Sequence, residues 1–223
     1  MKKTGIVLLA VVVTLVFTSC DDLAESLGLF ADVQEDFSEI SDQTGGEQIN
    51  AKGAEEVPDK ILEIIEPAQG KVHSGSDVVF LIDKTGSMAD DIDEVKESLS
   101  AILSSAPSET LFVIATYGDK NNDGDEWYST SGNTPTDDTD SLQEYVDAIE
   151  TTGGGDWPES VYDGLWKTMD EVEWQSVTQR IIILIGDASP LTDDKTDYSL
   201  DDVVEKSREE TPNIQVFTIA IDN

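Results

Sequence analysis

The sequence contains very few of the residues that most catalytic and metal centres use. Among 223 residues there is one cysteine, Cys20, and one histidine, His73. This argues strongly against a zinc cluster of Cys and His ligands and against a Cys–His nucleophilic pair. A Ser-His-Asp triad would need His73, which lies in a Gly/Ser-flanked segment just before the first predicted strand. We interpret His73 as a solvated linker residue.

Basic residues are also scarce. The chain has 13 Lys and Arg residues against 48 Asp and Glu residues, a formal net charge of −35. Nucleic acids and anionic lipid surfaces are recognised through positive charge, so neither is an expected partner. A strongly acidic surface keeps an exported protein soluble. Because such a surface also repels itself, it favours a medium that contains salt or divalent cations.

The one apolar segment of signal-peptide length lies at the start of the chain. Two lysines at positions 2–3 precede the apolar residues 6–17, and small residues at 18–19 precede Cys20. The pattern is typical of a secretory signal peptide and resembles a bacterial lipoprotein signal, cleaved before Cys20 and lipidated on its sulfur. The alternative is an uncleaved anchor helix, although a bilayer span needs about 20 apolar residues. Either interpretation tethers the chain to a membrane in the cell envelope, facing the periplasm or the cell surface.

The composition of the sequence predicts three successive regions. Residues 1–20 are the signal peptide, and residues 21–74 are rich in Asp, Glu, Ser, Gln and Gly and predict a flexible acidic linker. Short helices are compatible with residues 23–30 and 60–65, but neither segment would bury a core alone. Residues 75–223 then alternate between strand and helix patterns and predict one domain.

Apolar runs and helical periodicity define the fold of that domain. Strands buried on both faces are predicted at residues 78–82, 111–117, 181–185 and 214–221. Helices are predicted between them, within residues 92–102, 140–149, 158–172 and 200–208. A short edge strand is expected to begin at Trp127. The alternation predicts an α/β fold with a doubly wound, mainly parallel sheet and helices on both faces.

Two helix starts carry local signals. Asp140 and Gln143 stand in the positions of a capping box, and Pro158 stands at a favoured first position of the following helix. We therefore expect these residues to begin their helices.

Oxygen-bearing side chains follow the first predicted strand directly. Asp83, Thr85 and Ser87 fall where this strand ends, and ligands of open α/β sheets bind outside the carboxyl ends of the strands. A carboxylate with two hydroxyls suits Mg²⁺, Mn²⁺ or Ca²⁺ and suits zinc or copper poorly. The spacing therefore predicts a site for a hard divalent cation.

Two further segments add carboxylates at the same edge. Three glycines at 153–155 precede Asp156, and glycines allow the backbone to approach a ligand closely. Asp187 follows the strand at 181–185 and is expected beside Asp83.

These motifs together resemble the von Willebrand factor A domain and its metal-ion-dependent adhesion site. The site signature Asp-x-Ser-x-Ser has its counterpart in residues 83–87, Asp156 stands where the family usually has a threonine, and Asp187 matches the aspartate of the third loop. The resemblance implies Mg²⁺ held by five side chains and a protein partner that offers an acidic residue to the metal. It implies binding or adhesion rather than catalysis. Family members usually continue with a sixth strand and a final helix, so we expect residues 75–223 to lack both. The metal ligands implied are Asp83, Thr85, Ser87, Asp156 and Asp187.

Other interpretations of the polar residues remain open at this point. Asp, Ser and Thr often cap turns and helices without binding a ligand. A segment before Gly124 also matches the first half of a calcium-binding EF-hand loop, although Thr130 stands where a bidentate glutamate is required. We prefer a polar turn there. The candidate calcium ligands would be Asp119, Asn121, Asp123 and Asp125.

An enzyme is the rival from another functional class. Residues 83–86 also resemble the phosphorylated-aspartate motif of P-type ATPases and haloacid dehalogenases, with Asp83 as nucleophile and Asp187 as magnesium ligand. No transmembrane bundle follows, however, and Ser87 stands where the ATPases have threonine. The glycine-rich segment at 153–155 fits the adhesion-type domain, which we prefer.

Overall fold

The computed structural model describes residues 29–49, 57–65, 75–155, 157–175 and 179–221. They form a five-stranded sheet with helices on both of its faces. The strands are β1 (Ser76–Asp83), β2 (Thr110–Tyr117), β3 (Tyr128–Thr130), β4 (Gln179–Gly186) and β5 (Ile214–Ala220). The helices are α1 (Leu29–Thr44), α2 (Val57–Ile65), α3 (Ile92–Ser105), α4 (Thr139–Asp147), α5 (Val161–Glu171) and α6 (Leu200–Ser207).

The sheet has the strand order β3-β2-β1-β4-β5. β1 pairs in parallel with β2 and with β4, and β4 pairs in parallel with β5. Only the short β3 is antiparallel among these described strands. The predicted α/β fold with a doubly wound, mainly parallel sheet is therefore confirmed. The chain adds β2 on one side of β1 and later adds β4 on the other side, and this switch in strand order places the ends of β1 and β4 at a crevice suited to ligands.

Two apolar cores lie on opposite faces of the sheet. One face joins Phe80 and Ile82 of β1 to residues of α2, α3 and α4. The other joins Leu81 of β1 to residues of α1, α5 and α6. Every residue of β1 is buried, which explains why its sequence is an apolar run without the alternation of a half-exposed strand.

Two predicted helix starts differ from the structure. α5 begins at Val161, three residues after Pro158, because the segment before it first pairs with the 189–191 loop through Glu159. The cap of α4 is Asp138, whose carboxylate accepts a hydrogen bond from the Ser141 backbone N–H. Asp140 instead lies in the first turn of α4.

The largest correction concerns the predicted linker. The expectation of a flexible segment over residues 21–74 is wrong for α1 and α2, which pack into the two cores. Phe37 and Ile40 of α1 and Ile61 of α2 each have 0% of their surface exposed. α1 contains five acidic residues and no basic residue, but its apolar residues Val33, Phe37 and Ile40 lie on one face and are buried.

Backbone contacts hold α1 and the segment after it to the edge strand β5. The Thr218 hydroxyl donates to the Phe37 carbonyl at 3.0 Å, and the Val216 N–H donates to the Thr44 hydroxyl at 3.2 Å. Gln48 forms a parallel bridge with Thr218. This part of the predicted linker is thus continuous with the sheet.

The predicted signal peptide, including Cys20, lies outside the described residues, so its lipidation stays a prediction. Among the helices described, none combines the length and apolar character needed to cross a membrane.

Replacing Phe37 with alanine tests whether α1 is part of the folded domain. We expect Phe37→Ala to lower the free energy of unfolding by about 3–5 kcal/mol, because it leaves a cavity in a buried core. Chemical denaturation measures this change. Glu35→Ala, at an exposed position of the same helix, is the control and should change stability little. Equal stability of both variants would show that α1 does not contribute to the core.

Candidate metal centre

Two carboxylates meet at the carboxyl-terminal edge of the sheet. Asp83 is the last residue of β1, and Asp187 follows the last residue of β4. Because β1 and β4 are neighbouring parallel strands, their ends lie side by side. Both aspartates have 0% of their surface exposed. The structure therefore brings together the two carboxylates that the sequence placed at this edge.

Thr85 and Ser87 connect these carboxylates through hydrogen bonds. The Thr85 N–H donates to Asp83 Oδ1 at 2.8 Å, and the Ser87 hydroxyl donates to Asp187 Oδ1 at 3.1 Å. The two hydroxyl oxygens lie 3.1 Å apart. A short 3₁₀ turn, Gly86–Asp90, begins within this segment and turns the chain back across the strand ends. Four of the five predicted ligands are thus adjacent to one another.

Burial and like charge dominate the electrostatics of this site. Burial, and then the neighbouring charge of Asp187, raise the pKa of Asp83 to about 7, against the opposing effect of the Thr85 N–H hydrogen bond. Burial and the charge of Asp83 also raise the pKa of Tyr117. The negative charge of the carboxylates is therefore not balanced within the site. A bound cation would balance it.

Glu159 belongs to the same site, although the sequence analysis did not select it. Its side chain is 3% exposed, and its Oε2 atom has no hydrogen-bond partner among the described residues. Burial, followed by the charge of Asp83, raises the pKa of Glu159 to about 9. A third carboxyl group therefore lies close enough to Asp83 for the two charges to interact.

The glycine loop allows the side chains of Glu159 and Thr85 to lie close to its backbone at Gly154. Gly154 has φ +73°, and a Cβ atom there would lie 2.9 Å from Glu159 Oε1 and 3.2 Å from Thr85 Cβ. A side chain at Gly154 would therefore strain the backbone and collide with the site. This explains why the chain has glycine at this position.

The oxygen donors present fit a cation of the Mg²⁺ type. Glu159 Oε2 is buried without a hydrogen-bond partner among the described residues, and a buried polar atom of this kind is costly unless a ligand satisfies it. The donors are carboxylates and hydroxyls, which Mg²⁺, Mn²⁺ and Ca²⁺ prefer. No group of three or more His, Cys, Asp or Glu side chains within the described ranges is already arranged around one metal position. The fit therefore depends on two carboxylates together with two hydroxyls.

Asp156 is the one predicted ligand whose position is not described. The residues on either side of it, Gly155 and Trp157, belong to the loop that carries Gly154 and Glu159. Its assignment as a metal ligand stays a prediction.

The predicted calcium loop forms a hydrogen-bonded turn. Asp119 accepts hydrogen bonds from the Asn121 N–H at 2.7 Å and from the Asn122 side chain. Asp123 accepts from the Asp119 N–H at 2.8 Å and from the Gly154 N–H at 3.1 Å. These contacts connect the turn to the glycine loop. They match the preferred interpretation of a polar turn, and calcium binding there stays a prediction.

The other two candidate calcium ligands, Asn121 and Asp125, have surroundings that differ from those of Asp119 and Asp123. Asn121 donates its side-chain amide to the Lys195 carbonyl at 2.8 Å. Asp125 is exposed in the 3₁₀ turn Gly124–Glu126.

Two residues of the centre were missed for reasons that the structure makes clear. Tyr117 ends β2 directly opposite Asp83 in the strand register, so its place at the sheet edge was predictable from the strand assignment. Glu159 follows Pro158 and precedes the buried Val161. Its burial depends on the loop pairing with residues 189–191, for which the sequence has no local signal.

A cleft of about 330 Å³ lies on the other face of the same sheet edge. Lys84, the residue after Asp83, lines it together with Thr116, Tyr145, Ile149 and Glu150. The cleft therefore offers both polar and apolar contacts next to the carboxylate pair.

Comparison with known families decides the family of this domain. The model of the von Willebrand factor A domain family matches residues 77–220, well over half of the chain. The chain belongs to the von Willebrand factor A domain family. The resemblance inferred from the sequence is thereby confirmed, and residues 83–87 lie in the matched region.

Solved structures with related folds come from bacterial proteins. The conserved hypothetical protein BatB from Bacteroides thetaiotaomicron is 17% identical, with a TM-score of 0.48 over 66% of this chain and 66% of that protein. An aerotolerance-related membrane protein from Bacteroides fragilis is 16% identical, with a TM-score of 0.47 over 66% of this chain and 67% of that protein. The pilus adhesin SpaC from Lactobacillus rhamnosus GG is 17% identical, with a TM-score of 0.44 over 55% of this chain and 16% of the adhesin. A search of curated proteins finds no match.

The raised pKa values predict how stability without a divalent cation depends on pH. The pKa of Asp83 rises from 3.8 to about 7 and that of Glu159 from 4.5 to about 9, so the folded state holds protons that the unfolded state releases. This contribution to stability is complete below about pH 4 and is lost as the pH rises through the folded values. Each such proton contributes a slope of about 1.4 kcal/mol per pH unit. Denaturant titrations in chelator should therefore show a falling free energy of unfolding between pH 5 and about 9.

Glu159→Gln separates this effect from the general charge of the surface. The variant should flatten the fall between about pH 7 and 9, because its side chain has no proton to lose. Glu144→Gln, at an exposed position of α4, should keep the wild-type slope. An unchanged slope in Glu159→Gln would contradict the assignment of Glu159 as a buried, proton-holding group.

Proposed function

We propose that this domain is a membrane-tethered, extracytoplasmic binding or adhesion module that engages a protein partner through a divalent cation of the Mg²⁺ type. The observation that carries the proposal is the pair of buried carboxylates, Asp83 and Asp187, to which the Thr85 backbone N–H and the Ser87 hydroxyl donate, with the Thr85 and Ser87 hydroxyls in contact between them. Asp156 would complete the ligand set, and Mn²⁺ or Ca²⁺ would be alternative ions.

The chain's own residues explain how such a site would bind without catalysis. Asp83 and Asp187 supply negative charge, and their hydrogen bonds with Thr85 and Ser87 hold the oxygens in fixed directions. A bound cation would supply a coordination position for a carboxylate of the partner. This solves a problem of charge, because a chain with net charge −35 would otherwise repel an acidic partner.

Several contacts favour binding over the aspartyl-phosphate alternative. Asp83 is fully buried, and one of its oxygens already accepts the Thr85 N–H. The amino group of Lys84 donates to the Glu126 carbonyl, and that of Lys120 contacts Asp163 and Asp197. Neither of these lysines is directed to a phosphate above Asp83, and phosphoryl transfer depends on positive groups that hold the phosphate in line.

Membership of the family supports a binding or adhesion function in general. Domains of this family are typically binding modules without catalytic activity. The membrane attachment is supported by the leader sequence alone: basic residues 2–3, the apolar residues 6–17 and Cys20.

A thermal melt with and without Mg²⁺ tests the metal site. We expect saturating Mg²⁺ to raise the melting temperature, because an ion that binds only the folded state stabilises it by about 2.7 kcal/mol at 100 times its Kd. Asp83→Asn keeps the side-chain shape but removes the charge, and should abolish the shift. Asp125→Asn, at an exposed position outside the site, should retain it. Identical melts of the wild type in Mg²⁺ and in chelator would contradict the proposal.

The same variant distinguishes binding from catalysis. If Asp83 were a nucleophile, incubation with acetyl phosphate and Mg²⁺ would leave a hydroxylamine-labile phosphoryl group on the wild type and none on Asp83→Asn. We expect no such group on either protein. Its formation would favour the enzyme alternative.

Replacing Cys20 with serine tests the lipid anchor. Cys20→Ser removes the sulfur that would carry the lipid, so the processed chain should appear in the soluble fraction. Fractionation with a high-salt wash measures the release, with wild type as the control. A variant that stays in the membrane fraction would favour the uncleaved anchor helix.

A further inference from the structure

The direction of α1 determines where the chain enters the domain. Thr44, at the end of α1, contacts Val216, whereas Phe37, in its middle, contacts Thr218. Thr218 is the nearer of the two to the carboxyl end of β5. α1 therefore runs antiparallel to β5, and its first residue points towards the carboxyl-terminal edge of the sheet.

Simple lengths place the start of α1 at that edge. Leu29 precedes Phe37 by eight residues, which corresponds to about 12 Å of helix. The end of β5, Ala220, lies two residues beyond Thr218, which corresponds to about 7 Å of strand. The start of α1 therefore reaches at least as far as the strand ends. Asp83 and Asp187 lie at the same edge, since β1, β4 and β5 are all parallel.

The chain between the membrane and α1 is short. The residues numbered 21–28 separate Cys20 from Leu29, and fully extended they span about 30 Å at most. β5 is separated from β1 by β4 alone, so two strand spacings and the helix layer add roughly 15 to 20 Å to reach Asp83. The metal centre then lies within about 50 Å of the membrane.

We propose that the metal edge of the domain faces the membrane that anchors it, and that its partner is a protein held at the same membrane. This inference depends on the proposed function, both for the metal-mediated contact and for membrane attachment at or before Cys20. It holds for a lipid anchor and for an uncleaved anchor helix, because both end at residue 20. A partner on a distant surface would instead require the site at the far end of the domain, beyond the start of β2.

Distance measurements in vesicles test this orientation. The lipidated full chain is placed in phosphatidylcholine vesicles that contain an acceptor dye on a lipid headgroup. A donor dye is attached to one new cysteine, either Asp194→Cys in the loop after β4 or Ser108→Cys before β2, both at exposed positions. Because Cys20 is blocked by lipid, the new thiol is the one that reacts.

We expect at least about twofold stronger energy transfer from position 194 than from position 108, because strands of seven or eight residues separate the two edges by roughly 25 Å. Inserting about 40 Gly and Ser residues between Ala24 and Glu25 should remove this difference, since such a linker reaches about 35 Å in any direction. Equal transfer from the two positions of the unmodified chain, or stronger transfer from position 108, would overturn the proposed orientation. The measurement needs no Mg²⁺ and no partner, so its failure is distinct from an absent Mg²⁺ shift in the melting temperature.

Discussion

Two like charges, Asp83 and Asp187, are buried at the ends of neighbouring parallel strands, and the local structure depends on how their repulsion is relieved. The Thr85 N–H and the Ser87 hydroxyl each donate a hydrogen bond to one of these carboxylates. Burial, and then the charge of Asp187, raise the pKa of Asp83 to about 7, so protonation of Asp83 relieves part of the repulsion near neutral pH. A divalent cation would relieve it more fully and would do so at any pH that leaves the carboxylates charged.

The parts of this account that the sequence predicted are those with strong local signals. The apolar runs that became β1 and β4 predicted the parallel sheet, and the polar residues directly after each run predicted the site edge. Glu159 was missed because its burial arises from pairing between two loops. α1 was missed because its acidic composition suggested a linker. Val33, Phe37 and Ile40 already form a helical stripe in the sequence, so periodicity was the better guide.

The position of α1 also affects how far the acidic domain can move from its proposed membrane anchor. A 54-residue linker (residues 21–74) would have let the acidic domain move freely above a membrane, whereas α1 and Gln48 contact β5. With the proposed membrane attachment at Cys20, the strongly acidic domain would be held near the bilayer surface. The net charge of the whole chain, −35, opposes contact with anionic lipids, so a cation between carboxylates is the means of attraction that the described side chains support.

Anomalous diffraction from crystals grown with Mn²⁺ tests the central claim most directly. The account predicts one strong peak at the carboxyl-terminal sheet edge, within about 2.0–2.6 Å of the Ser87 hydroxyl oxygen or of an ordered water held by Asp83 and Asp187. The same crystals of Asp83→Asn should lack this peak. A wild-type structure with Mn²⁺ in solution but no density between Asp83 and Asp187 would contradict the account.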